Sequence, residues 1–377
     1  MSMKKFTKKM LAIVAAAAMT MGLAMPAFAS EAGETPKKAT EAYISKTYNT
    51  KVGKAFNFNF TATPVGNTHS ITMPVIAFTK TETESNTKVG KIDFGTFTEA
   101  GKYEYTVKEG AVTPPFTDGD HDKLIMSQAE YKMDVYVVQN GKSFNIENII
   151  VNKTKDDKGN TKTGKVDIGS DPTNNGFRFE NTYVQEAGTG TDPTKPDPDY
   201  TTYGSLNVTK KVENANPDTR EAVAEFNFTA TFTFPKGTDA STLGVKADGT
   251  GITLAGANKD TYTFTMNNGK SVKFTGLPVG TEISVTEAAT PNYKGSAQVT
   301  INGAVVDTVT ASKYNESITV SGKNLGQKKN VVDVTNKLNN VPTTGIIMNT
   351  LPYVLMVALC GVALVAFVAS KRRKVQK

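Results

Sequence analysis

Disulfide chemistry is excluded at once. The only cysteine, Cys360, lies in an apolar run near the C-terminus, so no sulfur staple can hold the rest of the chain. Tryptophan is absent, and His69 and His121 are the only histidines. Neither has neighbours at the spacing of a metal site or a catalytic triad. No glycine loop of the phosphate-cradling kind is present. Asp118-Gly119-Asp120-His121-Asp122 hints at a calcium loop, but glycine is missing at its sixth position and an acid at its twelfth, so it reads as a solvated turn. No metal, no cofactor and no enzyme turnover are expected.

The formal charge of +7 suggests a nucleic-acid binder until the charges are located. Lys4, Lys5, Lys8 and Lys9 open the chain, and Lys371, Arg372, Arg373, Lys374 and Lys377 close it. Taking those nine positive charges from +7 leaves a net of −2 for the remainder. No net cationic surface is left to attract phosphate, so nucleic acid is not an expected partner.

Both ends read as addresses. The basic start precedes an apolar run from Met10 to Met25, and Ala27-Phe28-Ala29 supplies a small-x-small cleavage pattern. Residues 1–29 are thus expected to be a secretory signal, the alternative being an N-terminal membrane helix. Leu351 to Val368 is almost wholly apolar and, with its flanks, approaches the ~20 residues that span a bilayer. The basic tail that follows places that end in the cytoplasm. Just before the span stands Val341-Pro342-Thr343-Thr344-Gly345. Pentapeptide, apolar span and basic tail together resemble a sortase sorting signal over residues 341–377, with Val341 where leucine is usual. That resemblance implies cleavage between Thr344 and Gly345 and transfer of the Thr344 acyl group to an amine. The alternative is an ordinary single-pass protein with a chance pentapeptide.

Between the ends the pattern is all-β. Phe56-Asn57-Phe58-Asn59-Phe60-Thr61-Ala62-Thr63 alternates with period two, as do Tyr103 to Val107, Tyr131 to Val137 and Glu225 to Phe232. No convincing helical stretch interrupts them. Residues 187–202 are rich in Gly, Thr, Asp and Pro and read as an extended linker. They separate two expected Ig-like β-sandwich domains, 36–186 and 203–339. The halves repeat each other: a lysine strand, a Phe-Asn-Phe strand, a Val-x-Glu strand and a final strand with asparagine.

The parity of the alternation turns three polar side chains inward in each half. Ile44-x-Lys46-x-Tyr48, Tyr103-x-Tyr105-x-Val107-x-Glu109 and Phe177-x-Phe179-x-Asn181 supply the first set. Leu206-x-Val208-x-Lys210, Ile283-x-Val285-x-Glu287 and Val332-x-Val334-x-Asn336 supply the second. An unpaired buried charge costs several kcal/mol, so these groups should pair or lose their charge. Desolvation lowers a lysine pKa and raises that of a glutamate. A neutral amine can then attack the asparagine amide while the protonated glutamate hydrogen-bonds the amide carbonyl and shuttles protons. Ammonia leaves, and an isopeptide bond joins the first strand to the last. A plain buried Lys–Glu salt bridge beside a turn-capping asparagine is the alternative, and a β-bulge would shift the parity.

At these residues the chain resembles Gram-positive backbone pilins. Lys46, the Gly101 to Glu109 strand and Phe179-Glu180-Asn181-Thr182-Tyr183 look like the isopeptide-forming domain of streptococcal pilins. Lys210, Leu277-Pro278-Val279-Gly280-Thr281 through Glu287, and Val334-Thr335-Asn336 look like the related Cna-B-type domains. The resemblance implies a secreted fibre subunit that is anchored to the cell wall after a transient stay in the membrane. Its implied partners are a pilus-type sortase, further copies of the chain, minor pilins and peptidoglycan. A monomeric adhesin or minor pilin that binds a host ligand is the rival reading. A backbone pilin also needs an exposed lysine near the end of its first domain. Asn152 to Lys165 is a polar segment holding Lys153, Lys155, Lys158, Lys162 and Lys165. Lys165 is the favoured candidate and Lys162 the second, the alternative being a solvated loop whose lysines do nothing.

Overall fold

A computed structural model describes residues 38–213, 224–238, 243–252 and 258–339. The signal reading on 1–29 and the sorting signal on 341–377, with Val341 to Gly345, lie outside the described residues. Among the described residues no helix is long and apolar enough to cross a membrane.

The architecture is all-β, two sandwiches in tandem. In chain order the first contains β1 (Tyr43–Thr50), β2 (Phe56–Phe58), β3 (Phe60–Val65), β4 (Ile76–Phe78), β5 (Glu84–Lys91) and β6 (Gly101–Glu109). It continues with β7 (Asp122–Ile125), β8 (Glu130–Asn140), β9 (Ser143–Lys155), β10 (Thr161–Val166) and β11 (Arg178–Gln185). A sheet in the order β5-β1-β11-β7 faces one in the order β10-β9-β8-β6-β3. Tyr48, Phe58, Tyr105, Tyr131, Phe177 and Phe179 fill the space between them. Each such fully buried aromatic contributes about 1.5–3 kcal/mol.

The Phe56 to Thr63 stretch does not form one strand. Asn59 interrupts it, its side chain donating to the Ala111 carbonyl at 2.7 Å. The chain there passes from the small β2-β4 sheet to the β3 edge of the large one. Likewise the Asn152 to Lys165 segment is a β-hairpin and not a loop. Asp156 caps its turn by accepting from the Lys158 and Asn160 amides.

The second sandwich contains β12 (Leu206–Glu213), β13 (Phe226–Thr233), β14 (Lys246–Ala247), β15 (Thr250–Gly251), β16 (Lys259–Met266) and β17 (Ser271–Thr275). β18 (Glu282–Glu287), β19 (Tyr293–Ile301), β20 (Ala304–Thr310), β21 (Ile318–Asn324) and β22 (Val331–Leu338) complete it. Here the sheets run β15-β14-β17-β12-β22-β19-β20 and β16-β13-β18-β21. In both sandwiches the first and last strands are parallel neighbours, β1 with β11 and β12 with β22. Both members of each pair therefore run the same way along the molecule.

The connection between the sandwiches departs from an extended linker. Gln185 to Gly190 is buried, and its backbone docks on the second sandwich through Ala187 N–H to Leu277 O, Gly188 N–H to Gly326 O and Gly190 N–H to Gln327 O. Gly188 has φ +83°, and a Cβ there would meet the Gly204 carbonyl at 2.2 Å, so only glycine fits. A short helix, α1 (Pro198–Tyr203), follows, with proline in its first turn, where the missing N–H costs nothing. Glu186 anchors the junction. Its carboxylate accepts from the Tyr200 hydroxyl (2.6 Å), the Ser205 hydroxyl (2.7 Å) and the Gly276 amide, and it meets His121 Nδ1 at 2.7 Å. His121 is thus paired with a carboxylate remote in sequence, while His69 stacks on Phe97.

Replacing Glu186 with alanine strands those partners in a half-dry junction. The expected loss is about 3 kcal/mol, since hydrogen bonds to a charged group are each worth about 1.5–3 kcal/mol and do not add fully. Chemical denaturation measures it, and an unchanged midpoint would show that the clamp contributes nothing.

Candidate functional site

Parallel pairing decides the geometry of both polar clusters. Lys46 stands opposite Phe179 and Asn181 opposite Tyr48, so the asparagine is two residues beyond the lysine's partner. Lys210 stands opposite Val334 and Asn336 opposite Val212, the same offset. An offset of two keeps both side chains on one face of the sheet. The glutamates come from the facing sheets, Glu109 at the end of β6 and Glu287 at the end of β18.

In the first sandwich Lys46 Nζ lies 2.5 Å from Glu109 Oε1, and Asn181 Nδ2 donates to the same oxygen at 3.0 Å. The lysine and glutamate side chains are 0% and 1% exposed. Asn181 Oδ1 accepts from the Ser127 amide at 2.7 Å. In the second sandwich Lys210 Nζ bridges Glu287 Oε1 and Oε2 at 3.1 and 3.0 Å, and Asn336 Nδ2 donates to Oε1 at 2.5 Å. Asn336 Oδ1 is buried and has no hydrogen-bond partner among the described residues. Gly295 faces it across the β19-β22 ladder, where a Cβ would come within 3.1 Å of that oxygen.

The glutamates therefore contact the amide nitrogen, whereas the sequence reading had them on the amide oxygen. The reason is that an ionised carboxylate can only accept hydrogen bonds, so it takes the amide's NH2 donor and not its oxygen. The carboxylates enter from the facing sheet and meet the lysine and the amide NH2 together.

Aromatic rings close both sites. Lys46 Nζ sits 4.3 Å from the centre of the Phe58 ring and Lys210 Nζ 3.9 Å from that of Phe226. These phenylalanines belong to the Phe-Asn-Phe repeat, a signal visible in the sequence whose place at the sites was not. Ser127 and Asp157 left no such signal. They come from the connection after β7 and the β9–β10 turn, and only the fold brings them to Asn181.

Exclusion of water sets the electrostatics. Burial pulls Lys46 down to about 8, the pull being opposed by Glu109, and Lys210 down to about 8 against the opposing charge of Glu287. Burial likewise raises Glu109 and Glu287 above the ordinary carboxylate value. The two partners' proton affinities are thus drawn toward each other. Amine, carboxyl and primary amide thus share one dry pocket.

The candidate intersubunit lysines are elsewhere. Lys165, opposite Asn152, and Lys162 are exposed on β10, the edge strand of the five-stranded sheet. Asp118 to Asp122 forms a turn in which Asp118 accepts from the Leu124 amide and Asp122 from the Tyr183 hydroxyl.

Residues 204–337 match a family described as a domain of unknown function, DUF7601. No curated protein matches the chain. Among solved structures, the chain is similar to a major pilin from Streptococcus pyogenes at 20% identity and a TM-score of 0.31, covering 80% of this chain and 99% of that one. A second Streptococcus pyogenes major pilin, T-13, is 19% identical with a TM-score of 0.30, covering 81% and 100%. A Mobiluncus mulieris adhesin with intramolecular disulfide, isopeptide and ester cross-links is 15% identical with a TM-score of 0.20, covering 64% and 90%.

The convergent proton affinities give a pH signature, read in an Asn336→Ala chain. Lys210 gives up its proton near pH 8 when folded but near the ordinary 10.5 when unfolded. Between those values the unfolded chain holds more protons, so stability rises with pH. Glu287 has the opposite sign: just above its ordinary 4.5 the folded chain holds more protons, and stability falls as pH rises. Denaturant midpoints read below pH 10, before the tyrosines titrate, check this. A Lys210→Met, Asn336→Ala chain should lose the alkaline rise, and a rise that persisted would place its cause elsewhere.

Proposed function

We propose that the chain is the structural subunit of a covalently polymerised surface fibre, a pilus, whose two sandwiches are each closed by a Lys–Asn isopeptide bond. One observation carries this reading. Twice in one chain whose described residues hold no cysteine, a buried lysine and asparagine occupy the parallel first and last strands of a sandwich with a glutamate across both. A salt bridge alone does not need the asparagine, and burying an ion pair is by itself a poor way to gain stability.

The chemistry balances within each site. Glu109 or Glu287 takes a proton from the lysine Nζ, and the free amine forms a bond to the asparagine Cγ. The Cγ–Nδ2 bond breaks as the carboxylic acid returns its proton to the departing nitrogen; the carboxylate then carries a second proton from Nζ to that nitrogen, which leaves as ammonium. The carboxylate ends as it began, and each site acts once, so no turnover follows.

Assembly uses the chain's ends. A sortase thiolate attacks the Thr344 carbonyl and displaces the segment from Gly345 onward. The acyl group then passes to the amine of Lys165, or of Lys162, on another copy, and at the base of the fibre to a peptidoglycan amine. The segment from 345 to 377 holds the precursor in the membrane until that cleavage. Pilus-type sortase, further copies, minor pilins and peptidoglycan are the partners this assigns.

Intact mass of the exported chain tests the bonds. The expected mass is the sequence value less two ammonias, with Glu109→Ala and Glu287→Ala each restoring one. A mass equal to the sequence value would sink the cross-links. In the native host, wall extracts should show a ladder of high-mass bands that Lys165→Arg, or Lys165→Arg with Lys162→Arg, reduces to monomer. A single wall-released band from the unaltered chain would instead identify a monomeric adhesin.

A further inference from the structure

The two sites differ at the atom where negative charge would gather. Attack on Cγ pushes the carbonyl electrons onto Oδ1. In the second sandwich Asn336 Oδ1 has no hydrogen-bond partner among the described residues, whereas in the first the Ser127 N–H already points at Asn181 Oδ1 from 2.7 Å.

We propose that the Ser127 main-chain N–H is a preformed oxyanion contact for closure of the Lys46–Asn181 bond, with Asp157 and the Ser127 hydroxyl as the residues that position it. The inference rests on the isopeptide reading given above.

Three observations support a built contact. Ser127 is 8% exposed, so its N–H has little water to compete with. Its hydroxyl donates to Asp157 Oδ1 at 2.6 Å and accepts from the Ala129 amide at 3.1 Å, which fixes the turn that aims the N–H. The same Asp157 Oδ1 accepts from the Glu180 amide at 2.9 Å, one residue before Asn181, and the Asp157 carbonyl accepts from the Gln128 amide. A single carboxylate thus holds the donor and the strand that carries the acceptor. Distance and direction between Ser127 N and Asn181 Oδ1 are set before the reaction starts, the condition under which such a donor lowers a barrier.

The step is the same balanced one: Nζ–Cγ forms, Cγ–Nδ2 breaks, and Glu109 carries two protons in turn from Nζ to the departing nitrogen, which leaves as ammonium. Ser127 adds no atom to the product. It stabilises the tetrahedral intermediate while Oδ1 bears charge, and Met126 Sδ, 3.1 Å from Nδ2, faces the departing group.

Timing of the two bonds in one molecule tests the proposal. The chain from 30 to 344 is made by cell-free synthesis, quenched in acid at intervals and mapped by peptide mass for loss of ammonia at each pair. In the unaltered chain the Lys46–Asn181 bond should close first. Ser127→Pro, which deletes the N–H, should slow it about 100-fold, the usual effect of losing one oxyanion donor. Asp157→Ala should slow it about tenfold through loss of aim, and Asp157→Asn, which keeps an acceptor oxygen, should recover most of the rate. The Lys210–Asn336 bond should keep its rate throughout. The same substitutions in a Lys46→Ala chain report their cost to folding alone, and slowing larger than that cost marks the positioning role. First-bond closure no faster than the second in the unaltered chain, or unchanged in both Ser127→Pro and Asp157→Ala, overturns the proposal. No ammonia loss at Lys46 and Asn181 in the unaltered chain overturns the underlying bond instead.

Discussion

A lysine ammonium held against a carboxylate with no water beside it is the constraint on which this structure turns. Leaving either charge alone in such a place costs several kcal/mol, so lysine, glutamate and their amide neighbour must arrive together. That requirement reaches back into the fold. The lysine and asparagine must share one sheet face, which parallel pairing of β1 with β11 and β12 with β22 provides. The glutamate must come from the opposite sheet, and rings such as Phe58 and Phe226 must seal the gap. The two sandwiches share little sequence beyond these positions, yet the lysine–asparagine offset along the strands is identical.

Much of this was legible because period-two alternation is a direct record of which side chains face inward. The inward turn of Lys210 beside the outward Lys211 could be read from parity alone, and the structure leaves the first buried and the second exposed. Other features depend on contacts that no local pattern encodes. Asn59 breaks an alternation that looks continuous, because its amide has a carbonyl to reach in a segment some fifty residues on. Ser127 and Asp157 are ordinary turn residues in sequence, and their relation to Asn181 exists only after three segments meet. The glutamate's choice of amide nitrogen over oxygen follows from its charge, since an ionised carboxylate accepts and cannot donate.

The junction teaches the same lesson from composition. Gly, Thr, Asp and Pro signal freedom when nothing is near them, but small residues also let two backbones approach. Gly188 and Gly204 are used in the second way. Each has positive φ, and a Cβ on either would strike a carbonyl oxygen within 2.5 Å. With Glu186 gathering donors from the first sandwich, the connecting helix and the second sandwich, the segment couples its neighbours firmly. Composition could not reveal that coupling, because it lies in the surface on which the segment rests.

Strand direction then gives the two proposed bonds unlike mechanical duties. In a fibre joined at Lys165, tension enters on β10, follows the chain through Asn181 along β11, crosses the junction and runs up β12 to Lys210. The second bond carries it straight to Asn336 on β22 and out toward Thr344, so residues 211–335 lie outside the loaded path. That bond is a link in series with the load. The first bond is not, because Lys165 lies downstream of everything from Lys46 to β9. Its duty is to fasten β1 to the loaded β11, so that shear along their parallel ladder cannot peel the sheet open from its centre. In such a fibre the one proposed chemistry, on one strand arrangement, would serve as a link in one sandwich and a brace in the other, the difference arising from where the neighbouring subunit attaches.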